Sequence, residues 1–255
     1  AMPTRKISVG YLCVAVRLVL DRLERAGVRR PTLPLARLLV STVCARFARE
    51  PQWGGFLNSS LDRLWELVGA SGNSQEGRRI AEDSLASLRR LIAQKPDCLE
   101  FRSDLAISLN RATKLAIRNE DQGAAREMST ELVDLRREIC HLEPDSDRAR
   151  YALAAASHTS AGLALASADV TEATRMLATA SRILGPLRTP SDLPPEIQLE
   201  LARHHLLRYQ LAAVTGEAST GVAEALSILG VIEAAGFEDF RILHLRREIE
   251  KPVES

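Results

Sequence analysis

Aromatic side chains are scarce in this 255-residue chain, at 4% of the sequence. Strand-built cores lean on aromatic and β-branched residues, so the shortage points away from a β-sandwich. Ala and Leu dominate instead, which suits helix-on-helix packing, where small side chains let axes approach. Lysine is nearly missing, with only Lys6, Lys95, Lys114 and Lys251; arginine carries the positive charge, which reads as a coding bias rather than as recognition chemistry. Cys13, Cys44, Cys98 and Cys140 form no CxxC and no close pair, implying reduced thiols in a cytoplasmic protein. No apolar run approaches the ~20 residues that cross a bilayer. The nearest, 7–20, is interrupted by Arg17, and although Arg5 and Lys6 precede it, no clear small-x-small cleavage site follows.

Catalytic and metal motifs are equally thin. Gly72 and Gly77 followed by Arg78 and Arg79 graze the phosphate-loop spacing, but the Lys and Ser/Thr of that motif and the strand before it are missing. Cys140 and His141 are adjacent, so on a helix they point about 100° apart and do not face each other. Glu200 and His204 stand four apart with His205 next, yet no HExxH occurs and only two ligands are in view. His204 is also in line with Leu201, Leu207 and Leu211, which predicts a buried, hydrogen-bonded histidine. His158 lies among Ser157, Thr159 and Ser160; a surface role and a bonded core position both fit it. No Gly-x-Ser-x-Gly elbow is present. The expectation is a non-enzymatic chain with no catalytic, cofactor or metal site.

What the chain does have is helical periodicity throughout. Apolar residues at helical spacing predict helices over about 7–26, 35–47, 56–69, 78–94, 99–116, 124–142, 147–167, 170–184, 196–214, 222–235 and 239–250, with no strand alternation between turn signals. Asp169, with Glu172 three residues later, reads as an N-cap and approximate capping box. Four prolines, Pro186, Pro190, Pro194 and Pro195, mark the longest irregular connection. The sequence also repeats: Pro96 and Asp97 are matched 48 positions later by Pro144 and Asp145, Arg102 by Arg150, Leu105 by Leu153 and Ala106 by Ala154. The flanking pairs are expected to be shorter or interrupted by loops, not further copies of that unit. A helix pair that exposes an apolar face to the next pair must stack.

The stretch Trp65, Leu67, Val68, Gly69, Ala81, Leu85, Leu88 and Pro96 resembles the tetratricopeptide repeat, with Gly72 and Leu88 where Tyr and Ala are usual. Ala161, Ala173, Leu177, Ala180 and Pro186 give a second match without the Trp and Tyr. The resemblance covers about 62–235 and implies an all-α, right-handed solenoid of antiparallel helix pairs, ten to eleven helices in all. The expected layout is a basic helical region at 1–55, helix pairs at 56–237 and a capping helix with tail at 238–255. It further implies protein or peptide binding on the first helices of the pairs: Arg102, Asn110, Arg111 and Lys114; Arg150, His158 and Ser160; and Arg203.

Charge supplies the alternative. The net charge is +1, but residues 1–50 carry +7 and the rest −6. Arg17, Arg22, Arg25, Arg29, Arg30, Arg37, Arg46 and Arg49 could meet an acidic surface or nucleic acid, making this a regulatory or effector helical domain. No reading helix follows the Ala26-Gly27-Val28 turn, which disfavours nucleic acid. Self-association through apolar solenoid ends is a further expectation, limited by the last helix with Ile242, Leu245 and Ile249 on one side.

Overall fold

The computed structural model describes residues 74–184, 193–217, 219–236 and 240–250, together with Arg22 and Leu38, both helical and exposed. The helices expected at 7–26, 35–47 and 56–69, and with them Trp65 and Gly69, lie outside the described residues, as do Pro186 and Pro190. The other eight helices are all present, and no strand occurs among the described residues. They are α1 (Ser74–Gln94), α2 (Leu99–Arg118), α3 (Gln122–Leu142), α4 (Asp147–Ala166), α5 (Val170–Leu184), α6 (Pro195–Thr215), α7 (Gly221–Ala234) and α8 (Phe240–Glu250). The chain divides into two compact units, 1–128 and 129–255, with the division inside α3.

Helices begin at Ser74, Gln122 and Val170, and at Leu99, Asp147 and Pro195, each a step of 48. In the flanking pair α6–α7 the step is not kept, since α7 begins 51 residues after α5; the first helix of the pair that ends in α1 lies outside the described residues. The physical reason for the shared step lies in the turns. Cys98 and Ser146 precede α2 and α4 with φ −80°, ψ 104° and φ −82°, ψ 105°. At the other ends, Glu120 and Ala168 take the left-handed conformation at φ 58° and 56°. Asp121 and Asp169 then cap α3 and α5, accepting from Ala124 N–H and Glu172 N–H at 3.1 Å each. The capping box is only half formed, because the Glu172 carboxylate pairs with Arg175 at 2.7 Å instead of returning to Asp169.

In the first unit α1 packs on α2. Leu85, Leu88 and Leu91 of α1 and Phe101, Leu105 and Leu109 of α2 are buried, the apolar stripes that the 3.6-residue period sets on one face. In the second unit α4 packs on α5 and on α6, α6 on α5 and α7, and α8 touches α6 and α7. One apolar core runs through it from Ala154 by way of Ala180, Leu199 and Leu229 to Ile242 and Leu245. Ile242 and Leu245 of the last helix belong to that core, with Ile249 packed against it. Where α7 begins it meets the α6 backbone so closely that a Cβ on Gly221 would lie 2.3 Å from the His205 carbonyl oxygen. Only glycine fits there.

α4 differs from an ordinary amphipathic helix. Ala156, Ser157, His158, Thr159, Ser160 and Ala161 are consecutive and all buried. Six residues exceed one turn, so the middle of this helix is enclosed on every side. Small side chains allow that enclosure, and the polar ones among them must find partners inside.

Candidate functional site

The expected contact residues separate once placed. On α2, Arg102, Asn110 and Arg111 are half-buried and Lys114 is exposed. Asn110, Arg111 and Lys114 share one broad side, but nine positions at 100° each put Arg102 and Arg111 on opposite sides of the helix. On α4, Arg150 is exposed and ion-paired with Asp147 of its own first turn. Ser160 is 7% exposed and His158 0%. These two are corrected from surface to interior: α4 is enclosed where they stand. On α6, Arg203 is half-buried and lies close enough for its charge to act on His158.

The sequence reasoning had no acid partner for His158. The structure supplies one. His158 donates from Nδ1 to Glu200 Oε2 at 2.9 Å. Its Nε2 lies 3.1 Å from Nδ1 of His204, and Nε2 of His204 lies 3.0 Å from Ser181 Oγ. The two ring centroids are 5.2 Å apart. A single set of protons satisfies every atom: the Ser181 hydroxyl donates to His204, His204 to His158 and His158 to the Glu200 carboxylate, with both rings neutral. Burial holds them so. It pushes His158 below the usual imidazole range despite Glu200 beside it, and it pushes His204 down to about 3, helped by the charges of His158, His205 and Arg208. The buried, bonded His204 expected from its alignment with Leu201 and Leu207 is what the structure has.

The order carboxylate, imidazole, imidazole, hydroxyl imitates a base-activated serine. Acyl transfer also needs donors aimed at a developing oxyanion. Ser181 stands within α5, whose backbone N–H groups are engaged in the helix, and not on the strand-to-helix elbow that exposes a nucleophilic serine. The Cys140 thiol is pushed up, first by burial, which leaves it a poor nucleophile. Among the described residues no group of three His, Cys, Asp or Glu side chains can hold a metal ion. No helix among them is long and apolar enough to cross a membrane.

A cavity of about 250 Å³ lies in the first unit, among α1, α2 and the start of α3. Ala112, Leu115, Ala116 and Met128 line it, and Arg78 and Asp121, also lining it, are ion-paired at 2.6 Å. None of the expected contact residues lines it.

The open side of α4 has another character. Ala152 and Ala155 are half-buried and Arg148 and Ala166 exposed, all on one line along the helix. The same line is closed at Thr159, which is 6% exposed, and at Gly162, where a Cβ would lie 3.8 Å from Leu207 of α6. The α4–α6 contact places two first helices of successive pairs side by side, so their open sides adjoin.

Solved structures share the repeat fold. A kinesin light chain from Podosopora anserina with nearly identical tetratricopeptide-like repeats matches over 88% of this chain and 96% of its own, at TM-score 0.51 and 18% identity. The fold is tetratricopeptide-like. BtubC from P. vanneervenii matches this repeat fold over 92% of the chain and 85% of its own, at TM-score 0.55 and 16% identity. No protein-family model and no curated protein matches the sequence. The tetratricopeptide-like register accounts for the buried small residues that the sequence pattern singled out: Ala81, Ala161, Ala173 and Ala180 are each at most 3% exposed.

Proposed function

We propose that the protein is a non-enzymatic scaffold or adaptor that binds a protein or peptide along the first helices of its tetratricopeptide-like pairs. The observation that carries this is the partly open small side chains Ala152 and Ala155 in the first half of α4, flanked by the exposed Arg148 and Arg150. A helix that opens such small side chains to solvent lets another chain approach its backbone closely. Arg150 at the start of α4, Arg203 on α6, and Asn110, Arg111 and Lys114 on α2 offer polar and basic contacts on first helices; His158 and Ser160 are withdrawn from that role. The proposed layout keeps helix pairs over 56–237, a basic region at 1–55 and a capping helix with tail at 238–255. Cys98 and Cys140 are free thiols, in keeping with a cytoplasmic protein.

Charge reversal tests the reading. Arg111→Glu with Arg150→Glu, compared with the unaltered protein in affinity purification from the native host followed by quantitative mass spectrometry, is expected to deplete specific partners. An unchanged partner set counts against it. A partner retained only at low salt and lost in proportion to ionic strength would instead favour the basic region at 1–55 as the binding element.

A further inference from the structure

We propose that Glu200, His158, His204 and Ser181 form an acid-sensitive latch that fastens α6 to the α4–α5 pair, so that proton uptake loosens this junction before the rest of the chain. The four groups come from three helices: His158 from α4, Ser181 from α5, Glu200 and His204 from α6. Their hydrogen bonds at 2.9, 3.1 and 3.0 Å run in series across both of those helix contacts.

The chain of donors has one direction, toward Glu200. A first added proton can sit on His158 only if His204 moves its own proton to Nε2, which reverses the upper half of the chain and leaves Ser181 as acceptor. A second proton puts N–H against N–H, with two charged rings whose nitrogens are 3.1 Å apart. No arrangement of four groups satisfies that state, so the rings must separate.

The surroundings favour separation over accommodation. From α6, Arg203 acts on His158, and His205 and Arg208 act on His204, all disfavouring added positive charge. Glu200 is the opposing group. From α7, Glu224 lies 2.7 Å from His205 and is directed to that ring. α5 contributes the Ser181 hydroxyl. The feature is local in the repeat: at the matching register α2 carries Asp104, Ser108 and Asn110 in place of Glu200, His204 and His158, and no imidazole. The inference does not depend on the identity of any partner.

Hydrogen–deuterium exchange of the full chain at pH 7.5 and 5.0, corrected for intrinsic rates, reads it. Protection over 195–215 is expected to fall about tenfold at pH 5.0, while protection over 74–118 changes less than about twofold. Equal loss in both segments, or none in 195–215, overturns the latch. The variant His158→Asn with His204→Ser borrows the side chains of α2 and is expected to lose the pH response; a response equal to that of the unaltered protein is equally fatal. Should that variant not fold, a nitrogen-15 imidazole titration of the unaltered protein decides. Both rings are expected to stay neutral at pH 6.5. Either buried ring charging with a midpoint at 6.5 or above sinks the proposal.

Discussion

α2 and α4 are the same helix in plan and opposite in substance. They begin 48 residues apart, follow the same extended entry at Cys98 and Ser146, and end in the same left-handed turn at Glu120 and Ala168. Yet α2 fills its interior with Phe101, Leu105 and Leu109, whereas α4 presents Ala154, Ser157, His158 and Ser160. The period is kept by shared turns, with their backbone hydrogen bonds and two aspartate caps, and by the matched core pairs Leu105/Leu153 and Ala106/Ala154, all buried. With the ends pinned, the interior is free to be held by apolar volume in one pair and by small residues with a buried polar chain in another. The first also buries Asp104, Ser108 and Thr113 but no imidazole; the second buries two, His158 and His204, where the proposed acid sensitivity would act.

The largest effect expected from that contrast comes from removing volume in α2. Phe101 is 1% exposed, so Phe101→Ala should cost about 3–5 kcal/mol, the usual range for a buried aromatic cut to methyl. Urea unfolding followed by circular dichroism measures it. At the Phe101 position α4 carries Ala149, and its large buried apolar side chains are Leu153 and Leu163; its distinctive buried group is His158. His158→Leu, which keeps size but removes both ring nitrogens, should cost roughly 2 kcal/mol by leaving His204 Nδ1 without its acceptor and taking one bond from Glu200. If His158→Leu proves neutral, the polar chain contributes nothing and the contrast between the two helices collapses.

How much of this was legible beforehand follows the same division. The helices and their buried faces could be read because apolar residues recur at 3.6 residues and prolines mark the boundaries; Pro96 and Pro144 stand between pairs as expected. His204 could be placed in the interior because it shares a line with Leu201 and Leu207. The partnership of His158 with Glu200 could not be read, since the two are 42 residues apart and only the α4–α6 contact brings them together. His158 looked available for binding because its neighbours Ser157, Thr159 and Ser160 are polar. In an enclosed helix they are interior residues: Ser157 and Thr159 turn their hydroxyls back to the carbonyls of Leu153 and Ala155. The step of 48 from α1 to α6 has a related basis: Glu120 and Ala168 have no side-chain resemblance, and their shared left-handed angles, each before a capping aspartate, mark them as the same position.

Acid should sharpen the contrast by a middling amount. The folded chain keeps His204 neutral, with its pKa pushed down to about 3, whereas an unfolded imidazole takes a proton near 6.5. Above pH 6.5 neither state binds that proton and the pair adds no pH dependence. Below it the unfolded chain binds more protons, so stability falls with pH, by roughly 1.5 kcal/mol for His204 between pH 6.5 and 5.0, with His158 acting in the same direction. Urea midpoints at pH 7.5, 6.5, 5.5 and 5.0 should therefore slope for the unaltered protein and flatten over this range for His158→Asn with His204→Ser. Parallel slopes would assign the acid sensitivity to carboxylates elsewhere.

The smallest expected effect bears on the likeness and not the difference. Glu120 at φ 58° and Ala168 at φ 56° hold a conformation that costs a residue with a Cβ roughly 1–2 kcal/mol. Glycine pays no such strain, though it loses more freedom on folding. Glu120→Gly and Ala168→Gly should each raise stability by about 0.5–1 kcal/mol, and by similar amounts, because the two turns share their backbone bonds: Asp121 N–H reaches the Ala116 carbonyl at 3.0 Å, and Asp169 N–H the Ala164 carbonyl at 2.8 Å. Thermal midpoints of the two single variants make the measurement. A gain at one turn and a loss at the other would mean that the period is kept by something other than this turn, and that the resemblance between α2 and α4 ends at their length.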